Sequence, residues 1–211
     1  MALKKLLKSR VWPSAWQVFS RLFIMLGLPL LAWGPNDFTG FLSNPVRAGF
    51  MALVIGQALL HTWLLIRMPP TIDRQRQEEL EHWHYGLTEL IFIVSAFGDR
   101  RNILTWVEIP ALRWLGLGIY LLGAGYASWA NLAWVNHLRR AAESALDNPV
   151  LLAEGPYRWT RYPGLLVLFF YGLGFALAFR SWAGLAFIIP LTYSIFRRVD
   201  LWEKMYALRY R

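Results

Sequence analysis

The sequence predicts an all-α integral membrane protein, a helical bundle with five to six membrane segments. Hydrophobic residues make up 56% of the 211 residues and charged residues only 17%, which is outside the usage of soluble globular domains. Apolar runs recur from residue 16 to residue 196 with short polar breaks, so the chain has no room for a separate soluble domain. Tryptophans near the run ends fit the aromatic belts of a bilayer interface: Trp12, Trp16, Trp33, Trp106, Trp114, Trp134 and Trp182.

The N-terminal part contains one short amphipathic segment and the first apolar run. Residues 1–12 alternate leucines with lysines and an arginine at helical spacing, which indicates a basic helix lying on an anionic membrane. A solvated basic tail is the alternative. Residues 15–33 form the first predicted span, and residues 34–37, with the sequence Gly-Pro-Asn-Asp, form the turn that ends it.

The second predicted span, residues 46–66, has 21 residues and matches the ~20 residues that cross a ~30 Å hydrocarbon core. Gln57 and His61 lie four residues apart on one face of this helix. Polar groups inside a membrane are candidates for function. A hydrogen bond between helices is the simpler interpretation, and we expect it here.

The third predicted span, residues 83–97, is short and contains Glu89. Burying this carboxylate in lipid costs ~2.5 kcal/mol or more, so Glu89 faces the protein interior or precedes the helix. His82 and His84 are two residues apart, whereas two zinc ligands on a helix need a spacing of three or four. We therefore predict no metal site. The polar residues 99–102 predict a break after this third span.

The fourth predicted span covers residues 111–135, with Pro110 in its first turn. Gly116, Gly118, Gly123 and Gly125 lie within it. Residues 116–118 and 123–125 each read Gly-x-Gly, a pair that also occurs in nucleotide-binding loops. In those loops a strand precedes the glycines, and no strand precedes them here. We expect these small residues to let neighbouring helices approach closely.

The last two apolar runs, residues 165–179 and 182–196, are separated only by Arg180 and Ser181. At ~1.5 Å per residue each run extends ~22 Å, which is short for a full crossing. This predicts a tight C-terminal helical hairpin. Residues 197–211 alternate charged and aromatic side chains and predict a C-terminal helix that emerges into water.

The distribution of basic residues predicts the orientation. With six apolar segments and a cytoplasmic N-terminus, most lysines and arginines fall on the inner side, as the positive-inside rule requires. The outer segments hold only Arg47, Arg100, Arg101, Arg113 and Arg180. We expect a multi-pass protein of a bacterial inner membrane, with both termini cytoplasmic. The net charge of +9 is then balanced by anionic membrane lipids rather than by nucleic acid.

The polar turn at residues 154–164 carries the groups best suited to chemistry. Arg158 and Arg161 can bind a carboxylate or phosphate in forked geometry. Tyr157, Trp159 and Tyr162 offer flat faces for an aromatic ring such as adenine. On the predicted tail, Glu203 can accept hydrogen bonds from ribose hydroxyls or an ammonium group. The turn and the tail therefore offer the parts of a site for a charged cofactor. An interfacial loop with its arginines on lipid phosphates is the alternative.

The sequence of these segments resembles a known family. Residues 155–163 read Gly-Pro-Tyr-Arg-x-x-Arg-Tyr-Pro, a helical hairpin follows, and residues 198–204 read Arg-Val-x-x-Trp-Glu-Lys. This order is similar to that of the isoprenylcysteine carboxyl methyltransferase and phospholipid methyltransferase superfamily, over about residues 110–211. Tyr162 stands where the family has histidine, Trp202 where it has the first of two glutamates, and Leu165 where tyrosine is common.

The resemblance implies a small membrane bundle that binds S-adenosylmethionine and methylates a lipophilic acceptor dissolved in the membrane, such as a lipid amine, a hydrophobic carboxylate or a thiol. It implies one membrane domain, with anchoring helices in residues 1–109 and the cofactor-binding part in residues 110–211. Arg161 and Glu203 would be catalytic. The positions that match the cofactor-binding part of the family are Leu152, Gly155, Tyr157, Arg161, Tyr162, Pro163, Trp202 and Glu203.

Two other functions stay open. The C-terminal parts of sterol and steroid reductases resemble the same turn, and Arg139, Arg140 and Arg158 would supply the additional positive charge that the 2′-phosphate of NADPH needs. A membrane scaffold without catalytic activity is the third possibility.

Overall fold

The computed structural model describes residues 19–20, 22–67, 82–143 and 154–209, and the side chains of residues 19–20, 22–64, 86–140 and 154–204. Across this part of the chain the backbone forms helices joined by turns, with one isolated bridge between Thr105 and Ser181. The predicted all-α class is confirmed. The N-terminal segment 1–12 and the side chains of His82 and His84 lie outside the described residues.

The helices follow the apolar runs of the sequence. Helix α1 begins with a π-helical turn, and short 3₁₀ turns at Pro35–Asp37 and Gly155–Arg158 precede α2 and α6. The bounds are α1 Phe23–Trp33, α2 Phe38–Leu42, α3 Pro45–Arg67, α4 His82–Arg101, α5 Pro110–Glu143, α6 Pro163–Ala178 and α7 Trp182–Arg209.

Several predicted boundaries hold and others need correction. Pro110 is the first residue of α5, and α6 and α7 form the predicted hairpin. The predicted break at residue 99 was wrong, because α4 continues through Arg101 and keeps Asp99 on the helix. Helix α2 was not predicted; Asp37 caps it by accepting a hydrogen bond from the Gly40 amide at 3.1 Å. The tail is a direct continuation of α7 rather than a separate helix.

Crossing a bilayer requires a helix of ~20 mostly apolar residues. Among the described residues, no helix taken alone is both long enough and apolar enough to cross. One pair of helices, Pro35–Leu42 and Pro45–Leu64, meets the requirement when taken together, with a bend of 107° between them.

Helices α5 and α6 pack closely and run antiparallel, and glycines make this possible. A Cβ atom on Gly116 would lie 2.4 Å from the Ala178 nitrogen, and one on Gly174 would lie 2.7 Å from the Gly116 oxygen. Further along, a Cβ atom on Gly123 would lie 2.7 Å from Phe170. The packing role predicted for the glycines of α5 is therefore confirmed for Gly116 and Gly123.

Gly116 and Gly118 provide a matched pair for testing this contact. We expect Gly116→Ala to lower the melting temperature, because the new methyl group meets backbone atoms of α6 that cannot move aside. Gly118→Ala meets nothing within 4 Å, so the better helix propensity of alanine should stabilise the protein by ~0.5–1 kcal/mol. Equal melting temperatures for the two variants would contradict this account.

A polar layer joins α3 to the α5–α6 pair inside the bundle. The Gln57 side-chain amide donates to the Tyr171 hydroxyl at 2.6 Å, and the Tyr120 hydroxyl donates to the Gln57 oxygen at 3.3 Å. The two tyrosine rings stack with centroids 4.6 Å apart. The interpretation of Gln57 as a hydrogen bond between helices is confirmed.

Next to this layer, the core is built from aromatic rings. Phe50 on α3 lies 4.5 Å from Tyr120 and 4.7 Å from Phe175 between ring centroids, and both pairs meet edge to face. Phe175 in turn stacks on Phe179 at 4.1 Å. This core ties α3, α5 and α6 together.

One end of the bundle is closed by a buried group of charges, which we name the Asp99 cluster: Asp99, Arg47, Arg113, Arg180 and Glu108. The Asp99 side chain is 0% exposed. Its carboxylate accepts from Arg47 at 3.1 Å, from Arg113 at 2.8 and 3.0 Å, and from Arg180 at 2.8 Å. The cluster thus joins the start of α3, the end of α4, the start of α5 and the turn between α6 and α7.

The guanidinium groups of the cluster are also bonded to the backbone. Arg47 donates to the carbonyl oxygens of Phe41 and Gly40, and Arg113 donates to that of Ala178. Glu108, which is about half exposed, accepts from Arg113 at 2.6 Å and lies 3.1 Å from Arg180. These arginines lower the pKa of the Glu108 carboxyl, chiefly through the hydrogen bond from Arg113. Each arginine of the cluster is therefore bonded to protein groups on several segments, which indicates a structural role.

Candidate functional site

The loop that carries the Gly-Pro-Tyr-Arg sequence is fixed against the last turns of α5. The Tyr126 hydroxyl donates to the Pro156 carbonyl at 3.4 Å. Near the end of the helix, Arg140 binds Glu154 through two hydrogen bonds of 2.6 and 3.3 Å. This ion pair lowers the pKa of Glu154, although both groups are exposed. The loop is therefore positioned over about four turns of one helix face.

Gly155 begins the loop in a conformation that favours glycine. Its φ is +61°, in the left-handed region. A Cβ atom at this position would lie 3.4 Å from the Ala133 methyl group and 3.5 Å from the Trp129 indole nitrogen. The conformation, more than the available space, accounts for glycine here. It turns the chain into the short 3₁₀ helix Gly155–Arg158.

Tyr157 packs into a row of rings on α5. Its ring centroid lies 6.3 Å from that of Trp134, and His137 stacks on the same tryptophan at 6.1 Å. Burial, with a smaller contribution from Tyr126, raises the pKa of Tyr157 to about 12, so its hydroxyl stays protonated at neutral pH. The buried Nε2 of His137 makes no hydrogen bond within the described part of the chain.

Tyr162 and Trp202 bring the loop and the C-terminal helix together. Their ring centroids are 4.6 Å apart, and the guanidinium of Arg198 lies over the Trp202 ring at 4.7 Å. Pro163 is buried and begins α6 directly after this contact. The two positions at which the chain departs most from the family pattern are thus neighbours in space.

The two predicted catalytic residues lie at this junction, next in sequence to the contacting rings. Arg161 precedes Tyr162, Glu203 follows Trp202, and both side chains are exposed. Neither makes a hydrogen bond or ion pair with another residue of the described ranges. Leu152, the remaining predicted cofactor residue, lies outside the described residues. The structure therefore brings Tyr162 and Trp202 together and leaves Arg161 and Glu203 accessible to solvent.

Positive charge dominates this end of the bundle. Among the described side chains, the acidic residues here are Glu154, Asp200 and Glu203, of which Asp200 binds Lys204. The basic residues outnumber them and, apart from Arg198, are exposed. They are Arg139, Arg140, Arg158, Arg161, Arg197, Arg198 and Lys204.

Comparison with protein-family models, curated proteins and solved structures gives no match for this chain.

The geometry by itself defines what the site can do. It offers exposed guanidinium groups for an anion, an exposed carboxylate for hydroxyl or ammonium donors, and aromatic faces on two sides. Trp159, 74% exposed, packs edge to face on Trp129 with ring centroids 5.6 Å apart. An aromatic ligand with separate charged groups matches this set of contacts.

The residues of α5 that hold the loop were not predicted from the sequence. They are Tyr126, Trp129, Ala133, Trp134, His137 and Arg140. A signal was present, because Tyr126, Trp129, Ala133, His137 and Arg140 recur every three or four residues and therefore share one helix face, with Trp134 next to it. Trp134 was assigned to the bilayer interface, whereas its ring lies 6.3 Å from that of Tyr157 on the loop.

Proposed function

We propose that this protein transfers a methyl group from S-adenosylmethionine to a lipophilic acceptor dissolved in a membrane. The observation that carries the proposal is the contact between Tyr162 and Trp202. It places the loop against α7, and it puts Arg161 and Glu203 at the same end of the bundle. The proposal also draws on the family resemblance of residues 155–163 and 198–204.

Three features support the fit of the cofactor. Its methionine part has a carboxylate that an exposed arginine such as Arg161 can bind, and its ribose hydroxyls can donate to Glu203. Its adenine can lie against the exposed ring of Trp159 or the half-buried rings of Tyr157 and Tyr162. When bound, the cofactor supplies an activated methyl group on a sulfonium.

The task of the chain is alignment rather than proton transfer. Holding acceptor, methyl and sulfur in line and excluding water account for most of what such a transfer needs. Arg161 would orient a carboxylate of the cofactor or the acceptor, and Glu203 would anchor the cofactor. Tyr157, with a pKa of about 12, would act as a hydrogen-bond donor and not as a base.

We propose a multi-pass location in a bacterial inner membrane, with the loop end of the bundle on the cytoplasmic side. Large apolar side chains are exposed on the outer faces of three helices: Leu59 at 67%, Leu122 at 68% and Ile189 at 74%. The distribution of charge also favours this orientation. Arg47, Arg113 and Arg180 at the proposed outer end are each paired with Asp99 in the Asp99 cluster, whereas the arginines of the loop end are mostly exposed.

An NADPH-dependent membrane reductase is the second candidate. The observation that favours it is the group of exposed arginines beside the loop, since Arg139 and Arg158 form no ion pair with the described residues. The 2′-phosphate of NADPH carries charge that such a surface attracts. A non-catalytic membrane scaffold would need none of these groups.

Thermal unfolding in detergent distinguishes the three functions. We expect S-adenosylhomocysteine at 100 times its dissociation constant to stabilise the protein by ~2.7 kcal/mol, and NADPH at millimolar concentration to have no effect. A shift with NADPH alone would favour the reductase. If neither ligand raises the melting temperature, and calorimetry also detects no binding, the scaffold is favoured.

A further inference from the structure

The segment between α4 and α5 exposes an unusual amount of apolar surface at the Asp99 end of the bundle. Val107 is 81% exposed, and Trp182, at the start of α7, lies beside this segment. We name the group the apolar cap. Its members, with their exposed fractions, are Ile103 at 49%, Leu104 at 64%, Val107 at 81%, Ile109 at 43% and Trp182 at 58%. Surfaces of this kind mark sites of contact with a partner or a membrane.

The cap is held firmly despite its exposure. The Trp182 amide donates to the Leu104 carbonyl at 2.8 Å, and the Trp106 amide donates to the Arg180 carbonyl at 3.3 Å. The rings of Trp106 and Trp182 meet edge to face with centroids 5.3 Å apart. These hydrogen bonds satisfy backbone groups internally, and this is the condition for placing irregular backbone at membrane depth.

The charged side chains next to the cap in sequence contact other residues of the chain. Glu108, the acidic residue within the segment, is bound to Arg113 and Arg180. Arg100 and Arg101 lie at the edge of the cap, where Arg100 contacts Asp37 and Asn36 and Arg101 lies over the Phe97 ring. Apolar residues with arginines near them in sequence match the boundary between acyl chains and phosphate headgroups.

Backbone strain also points to a role for the cap. Leu104 has a φ of +51°, in a region that costs a residue with a Cβ atom ~1–2 kcal/mol. The strained side chain is 64% exposed, so packing within the described part of the chain offsets little of this cost. Strain of this kind is kept where the surroundings or a function impose it.

The length of the hairpin indicates which surroundings the cap contacts. Helix α6 has 16 residues, or ~24 Å at ~1.5 Å per residue, which is less than the ~30 Å of a hydrocarbon core. A hairpin whose cytoplasmic end is at the inner interface therefore ends below the opposite headgroups. The cap lies at that end and extends the apolar surface of the hairpin toward those headgroups.

We infer that the apolar cap inserts into the outer leaflet of the bilayer, between headgroups and acyl chains, so that the tip of the α6–α7 hairpin does not emerge into water. The inference rests on the membrane location in the proposed function, and it is independent of methyl transfer. It assigns the cap a lipid partner and assigns Trp106 and Trp182 to the outer interface.

Single-cysteine labelling tests this inference, because the natural chain contains no cysteine. We would prepare Val107→Cys for the cap, Leu59→Cys for the outer face of α3 and Arg158→Cys for the loop end, with Ile109→Cys as a second cap variant if the first fails to fold. Each carries an environment-sensitive fluorophore in nanodiscs that contain lipids with a nitroxide quencher at a shallow or a deep position. We expect shallow quenching at residue 107 to exceed that at residue 158 by about threefold or more, and residue 59 to be quenched by the deep lipid.

The four labelled positions give distinguishable outcomes. Quenching at residue 59 without quenching at residue 107 or 109 would overturn the insertion of the cap and leave the membrane location standing. Absence of quenching at all four positions would overturn both. Methyl transfer is measured separately, so its failure would leave the result at the cap unchanged.

Discussion

Replacing Asp99 with asparagine should lower the free energy of unfolding by ~3–5 kcal/mol, because the buried charges of Arg47, Arg113 and Arg180 lose the carboxylate to which all three are bound. Breaking a buried ion pair from one side leaves the partners desolvated and uncompensated. The cluster joins four segments of the bundle, so the loss should appear in cooperative unfolding rather than in local fraying. Unfolding in detergent, followed by circular dichroism, measures the change.

Two variants serve as controls for Asp99→Asn. Glu108→Gln removes a carboxylate that is 47% exposed. It should lower the free energy of unfolding clearly less than Asp99→Asn does, because solvent screens the charge of Glu108. Asp200→Asn removes the partner of Lys204 in an exposed pair four residues apart, which should change stability by no more than ~0.5 kcal/mol. An Asp99→Asn protein as stable as the Asp200→Asn protein would show that the cluster contributes nothing to stability.

The second large effect is expected at Arg161. In Arg161→Ala, binding of S-adenosylhomocysteine should weaken about 10- to 100-fold, as expected for the loss of one charge-assisted hydrogen bond. The melting temperature without ligand should not change, because Arg161 is exposed and forms no ion pair with the described residues. Calorimetry measures the affinity.

Arg197→Ala is the matched control for Arg161→Ala, since it removes an exposed arginine from the same end of the bundle. It should leave the affinity for S-adenosylhomocysteine within about twofold, because long-range charge effects are screened at physiological salt. Equal losses in the two variants would point to general electrostatic attraction and would contradict a specific contact at Arg161.

The helices could be predicted largely from the sequence, because each apolar run bounded by Gly, Pro or charged residues became one helix. Pro110 marks the start of α5 as expected. The prediction was wrong at Asp99, where charged residues were interpreted as a break. The helix continues because α3, α5 and the α6–α7 turn supply three arginines for that carboxylate. Such partners are distant in sequence and become neighbours only through packing.

The candidate site was predictable in part. The loop and the C-terminal helix were expected to share one end of the bundle, and the contact between Tyr162 and Trp202 connects them. The role of α5 was not anticipated. Trp134 and His137 have the spacing of a helix face, but nothing in the sequence distinguishes a face that packs on a loop from one that meets lipid.

Transfer of a labelled methyl group tests the central proposal most directly. Purified protein in nanodiscs of bacterial lipid extract would be incubated with S-adenosylmethionine carrying a tritiated methyl group, and label would be counted in the organic phase after extraction. We predict label that increases with time in the natural protein, falls strongly in Arg161→Ala and is retained in Arg197→Ala. Organic-phase label no greater than in protein-free nanodiscs, from protein that is folded and supplied with the whole lipid extract, would contradict the proposal.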